Sequence, residues 1–133
     1  MNTTVALIAR TLLASIFLIS GIRKALSFGF VAGMMAQKGF PASQVFLVAT
    51  IALEIVGGLM LIANWHARYA ALALAAFTLA AGTIFHGFWD SWSAPPPEYN
   101  NQLNHFLKNV AIVGGLLLTA ALPGSEGSEA RRA

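Results

Sequence analysis

The chain has 133 residues, of which 57% are hydrophobic and 10% charged, for a formal net charge of +3. Its mass is 14.1 kDa and its pI about 9.8. An ordinary soluble domain carries roughly 25% charged residues, so this composition argues against a soluble enzyme, a disordered tail or a nucleic-acid module and favours one small integral membrane domain.

The chain contains no cysteine, which removes disulfides, Cys-ligated metal centres and thiol redox chemistry of its own. Its bases are Arg10, Arg23, Lys24, Lys38, Arg68, Lys108, Arg131 and Arg132. They stand singly or in pairs between apolar segments, as charges do at the ends of membrane helices. A nucleic-acid face would gather them on one soluble surface.

In chain order, the first apolar segment covers residues 5–22. No basic region precedes it and Arg10 lies inside it, so it is expected to be a span rather than a cleaved leader. Residues 23–44 place Phe28, Phe30, Met34, Met35 and Phe40 among polar residues, a pattern for a short amphipathic helix lying at the interface. Gly39-Phe40-Pro41 should stop it, and Pro41 or Ser43 should start the next span. The second segment covers 45–63, and residues 64–68 make a tight turn into the third, 69–89, as an antiparallel hairpin. Residues 90–102, with Pro95, Pro96 and Pro97, are expected to form an extended extramembrane loop.

The fourth segment covers 103–122, and each of the four is near the ~20 residues that cross a bilayer as a helix. The expectation is therefore all-α: a four-transmembrane-helix bundle over 1–122, with a short amphipathic segment between helices 1 and 2. A flexible polar tail is expected at 123–133. The positive-inside count nearly ties; it leans towards both termini being cytoplasmic.

Charge within the bilayer costs on the order of 3 kcal/mol per residue, so the polar residues of the spans carry the chemical information. Glu54 lies near the middle of the second span and Arg10 about one turn inside the first; the two are expected to form an ion pair. The fourth span opens with Asn101, Asn104, His105, Lys108 and Asn109 at helical spacing. The third ends with Thr83, His86 and Asp90, and Ser20 and Lys24 reach the same membrane face from the first. These positions predict a polar pocket walled by His86, Asp90, Asn104, Lys108, Asn109 and Ser20, with Glu54 at its floor and Trp89 and Trp92 at its rim. No His-x-x-x-His or Glu-x-x-His pair is present, so no metal site is expected. A histidine–carboxylate pair for proton transfer fits better. Gly57-Gly58, Gly114-Gly115 and the row Ala67, Ala71, Ala75 are expected to be close-packing positions.

Several of these residues carry a resemblance that extends from end to end. They are Ile8-Ala9-Arg10, Phe17 to Gly21 with Lys24, Met35-Ala36, Gly39-Phe40-Pro41, Glu54 with Gly57 and Gly58, Phe77-Thr78, Phe85 to Asp90, Asn101-Gln102, Phe106 to Asn109, and Ile112 to Leu117. In these the chain resembles the DoxX family of small bacterial membrane proteins. The resemblance implies a multi-pass protein of the bacterial inner membrane. It implies kinship with membrane subunits of thiosulfate:quinone oxidoreductases and with membrane partners of soluble redox or sulfur-transfer proteins. The family's recurrent polar positions correspond here to Arg10, Glu54, His86, Lys108 and Asn109, without catalytic roles attached.

The function expected is an accessory or quinone-interacting subunit of a membrane redox system, with no self-contained catalytic motif. Quinone is the cofactor class that the pocket would take. The partners expected are the lipid bilayer and soluble redox or sulfur-transfer proteins, with no nucleic acid; a homo-oligomer is open. The alternatives are a structural or assembly protein, whose buried polar residues only fix helix register, and a small-solute or proton carrier.

Overall fold

A computed structural model describes residues 2–122; the tail expected at 123–133 lies outside the described residues. Within them the chain is all-helical: α1 (Thr3–Leu26), α2 (Phe28–Gln37), α3 (Ser43–Ala63), α4 (Ala67–Phe85), a single 3-10 turn (Phe88–Ser91) and α5 (Pro96–Ala121). Four helices are long and apolar enough to cross a membrane. The short helix α2 falls between the first two of them, where the amphipathic segment was expected.

Local chemistry sets the helix ends. Asn2 caps α1, its side chain accepting the backbone N–H of Thr4 at 2.9 Å. Gly39, at φ 86°, closes α2 in the left-handed region that glycine tolerates best. The turn between α3 and α4 uses Asn64 at φ 55° and His66 at φ 46°. The Trp65 N–H reaches back to the Met60 carbonyl at 3.1 Å, which satisfies one of the last free carbonyls of α3.

Two boundaries differ from the expectation. The fourth long helix starts at Pro96, so the proline run is not an extended loop. Proline in the first turn of a helix lacks only an N–H that would have no partner there, and its fixed φ suits the helix. The third long helix stops at Phe85, and His86 turns out of it at φ −129°. Trp89 then lies in the 3-10 turn, joined edge-to-face with Phe88 and Phe106.

The main core is built from Ala14, Phe17, Leu61, Ala67, Ala70, Ala71, Leu74, Ala75, Leu116 and Ala120. Small residues dominate it because lipid gives helices no hydrophobic reason to associate; close backbone approach and packing must do so. Gly57 and Gly58 bear this out, since a Cβ at either would stand 3.1 Å from Leu74 or 3.0 Å from Leu18. The buried row Ala67, Ala71, Ala75 does so as well. In the last pair only Gly115 is a packing site, against Leu13, while Gly114 faces open space. A smaller core holds α2 to the bundle through Ala32, Met35 and Leu47, with Phe28, Val31, Phe40, Ile51 and Phe85 around them. Large apolar residues such as Leu12, Ile19, Val45 and Leu118 are more than half exposed and face outward, as a lipid-facing surface requires.

Candidate functional site: an intramembrane ion pair beside a groove

Glu54 is the buried carboxylate of α3, and Thr78 is the other buried polar residue of the bundle among those described. The Lys24 ammonium stands 2.7 Å from both Glu54 oxygens, with the side chains 26% and 3% exposed respectively. Ser20, one turn before Lys24, donates to Glu54 Oε1 at 3.0 Å and accepts from the Lys24 Nζ at 2.9 Å. Lysine has three N–H groups, and here each has an oxygen to meet. The Phe77 ring of α4 lies beneath, its centroid 5.6 Å from the Lys24 nitrogen, a cation–π contact.

The sequence produces this arrangement by spacing. Ser20 and Lys24 are four apart and share one face of α1. Gly21 lets α3 come close: a Cβ there would meet Ile55 at 2.8 Å and the Glu54 Cβ at 3.4 Å. The level of Glu54 on α1 is therefore Gly21.

This register corrects the Arg10–Glu54 pair. Arg10 lies about 16 Å along α1 from the Glu54 level, at 1.5 Å per residue, beyond the reach of a side chain. Glu54 takes Lys24 instead, and the Arg10 Nε is buried with no hydrogen-bond partner. Arg10→Leu is accordingly expected to leave stability unchanged or raise it, since it removes an unpartnered buried donor, measured by thermal unfolding in lipid nanodiscs.

The other expected pocket residues do not join Glu54 as a single lining. His86 and His105 stack, ring centroids 4.7 Å apart, and His86 Nδ1 lies 3.1 Å from Gln102 Oε1. Asn109 lies over Gly82, so close that a Cβ at 82 would meet its Nδ2 at 2.8 Å. Both sets tie the end of α4 to α5 between Gln102 and Asn109. Asp90, Asn104 and Lys108 are exposed. Trp92 is 73% exposed at the outer end, beside Tyr99. Of the expected walls, only Ser20 touches Glu54 directly.

A groove of about 590 Å³ runs along the outer face of α1 beside the start of α2. Ile16, Ile19, Phe30 and Val31 give it apolar walls; Ser20 and Lys24 line it, with Arg23 and Ser27 towards the α1–α2 elbow. Sequence reasoning missed Lys24 as the partner of Glu54, and missed the groove. The signal for the first was the i, i+4 pair Ser20–Lys24 flanking a glycine. Nothing in the sequence alone shows how α2 folds back to wall the groove.

A four-span helical protein with a buried ion pair beside a lipid-facing groove is the class that fold and site define. The chain belongs to the DoxX family, whose pattern it matches over residues 5–87, and it is an integral inner-membrane protein. It is similar to two Escherichia coli (strain K12) proteins. Inner membrane protein YphA is 31% identical over 115 residues, which cover 86% of this chain and 79% of that one. Inner membrane protein YqjF is 34% identical over 114 residues, which cover 86% and 80%. No solved structure matches.

Proposed function

We propose that the protein is an accessory, quinone-interacting subunit of a membrane redox system, and that the quinone headgroup is received where the α1–α2 groove meets Ser20 and Lys24. The observation that carries this reading is that Ser20 and Lys24, both bound to the buried Glu54, line an outward-facing groove. A quinone needs apolar surface for its tail and, at the headgroup, a donor for the carbonyl with a titratable group behind it. Ile16, Ile19, Phe30 and Val31 offer the first. The Lys24 ammonium or the Ser20 hydroxyl would supply the donor by exchanging one of its present contacts for the headgroup, and the Glu54 carboxylate is a proton acceptor in direct contact with both. The electrons would come from a partner protein, and the lean of the charge count puts both termini in the cytoplasm.

Binding of a short-chain ubiquinone to the protein in nanodiscs, followed by calorimetry, tests this. Ile19→Trp, on an exposed groove residue that touches no core, should weaken binding about tenfold by filling the space for the tail and leave the fold unchanged. Absence of saturable binding, or binding indifferent to Ile19→Trp, would sink the reading.

One observation favours the structural alternative, in which the pair only locks α1 against α3: the three Lys24 N–H groups are all occupied. On that reading a Lys24→Met/Glu54→Leu double variant keeps every activity of the wild type. On the redox reading it folds and loses quinone binding.

A further inference from the structure

The groove between α1 and α2 carries one positive charge that the bundle does not balance. Ile16, Ile19 and Arg23 follow one another at spacings of three and four, so they share a face of α1, and they line the groove together with Phe30 and Val31 of α2. Lys24 also lines it, but its charge is met by Glu54. Arg23, in the last turn of α1, makes no hydrogen bond and no ion pair among the described residues. Ser27, the next groove residue towards the elbow, makes no capping hydrogen bond at the start of α2 with its side chain. No acidic side chain lines the groove among the described residues.

These groups are ordered by depth. The long helix α1 ends at Leu26, so Arg23 and Ser27 stand at the level of the headgroups. Ile16 lies about 10 Å further along the axis, at 1.5 Å per residue, towards the apolar layer. A ligand that fits is negative at the elbow and apolar along the turns beyond it. A guanidinium presents a planar fork of N–H groups that matches a phosphate, and the Ser27 hydroxyl adds a further donor. The bilayer supplies this combination at this depth: a phosphodiester with acyl chains beyond it. A quinone has no charge to set against Arg23. The second wall and the second donor separate the site from an arginine that only reaches the headgroups.

We infer that the α1–α2 elbow is a binding site for an anionic phospholipid, whose phosphate is held by Arg23 and Ser27 and one of whose acyl chains lies along Ile16, Ile19, Phe30 and Val31. The site goes beyond the redox reading and stands without it. Where a quinone enters the same groove the two compete, so the anionic lipid content of the membrane sets how much of the groove is open to quinone.

Native mass spectrometry of the full-length protein in detergent micelles, titrated with phosphatidylglycerol or phosphatidylcholine, reads the site. One phosphatidylglycerol should bind saturably, and more tightly than phosphatidylcholine. Arg23→Gln, at an exposed position, should weaken it about tenfold, the loss of a hydrogen bond to a charged group. Arg23→Lys should restore only part of the affinity, because the planar fork is gone. Ile19→Trp should weaken phosphatidylglycerol as well, by filling the space for the chain. In phosphatidylcholine nanodiscs, added phosphatidylglycerol should weaken ubiquinone binding to the wild type and not to Arg23→Gln. The lipid titration supports the site even where ubiquinone does not bind, so the two readings fail separately. Phosphatidylglycerol affinity unchanged by Arg23→Gln overturns the proposal. So does a loss that Ile19→Trp does not share, which would leave the guanidinium among the bulk headgroups. Displacement of the lipid by inorganic phosphate would assign the elbow to a free anion, and displacement by oleate as readily as by phosphatidylglycerol would assign it to a carboxylate; either result overturns it too.

Discussion

Replacing Lys24 by methionine is expected to cost about 3–5 kcal/mol of stability, the penalty for leaving one partner of a buried pair uncompensated. Glu54 sits almost wholly inside the bundle, its side chain 3% exposed. Without Lys24 it must keep a lone charge in a medium that cannot solvate it, or take up a proton. Ser20 alone would remain as a donor to the carboxylate. Replacing both residues, Lys24→Met with Glu54→Leu, should return the protein to within about 1 kcal/mol of the wild type or above it, because the apolar pair needs no solvation. Equilibrium unfolding in mixed micelles of increasing denaturing detergent reads both effects. A single variant as stable as the wild type would mean that the pair contributes no lock between α1 and α3.

The second large effect is expected at Gly21. A leucine there puts a Cβ at 2.8 Å from Ile55 and 3.4 Å from the Glu54 Cβ. The neighbour at the closest point is a branched side chain on a packed helix, so α1 and α3 must separate. The cost should be about 1–3 kcal/mol, as for overpacking elsewhere, and the separation should also lengthen the Lys24–Glu54 contact. Gly114→Leu is the internal control, because its Cβ meets nothing within 4 Å; it should fall within about 0.5 kcal/mol of the wild type. Similar losses at both glycines would show that close approach at Gly21 does not set the response, since leucine is the better helix former at either position.

Much of the fold was legible because hydropathy reports burial in lipid directly. The four spans and the short helix between the first two followed from apolar length and from the stop at Gly39-Phe40-Pro41. The proline run was misjudged because the same residues that end helices can also open one, and composition does not say which. The site was legible only residue by residue. Glu54 stood out as a charge in an apolar segment, and Ser20 as a polar residue at the right end of α1. The partner of Glu54 was not legible, because depth was measured from helix ends. Gly21, not the ends, fixes how α1 slides against α3, and that places Lys24 rather than Arg10 at the carboxylate. The separation of Asn109 from Lys108 follows from the rotation of α5, which turns Asn109 to Gly82 and Lys108 outward, while His86 turns out of the end of α4. Spacing shows which residues share a face and not which way the face points.

Photolabelling with an azido-ubiquinone in native-like lipid, followed by mass spectrometric mapping of the modified peptides, tests most directly whether the groove beside Lys24 and Glu54 receives the headgroup. The label is expected on residues 16–31, competed by unlabelled ubiquinone and lost in Ile19→Trp. Competable label on residues 86–109 instead, around His86 and Lys108, or label that no quinone competes, would contradict the assignment of the site to α1 and α2.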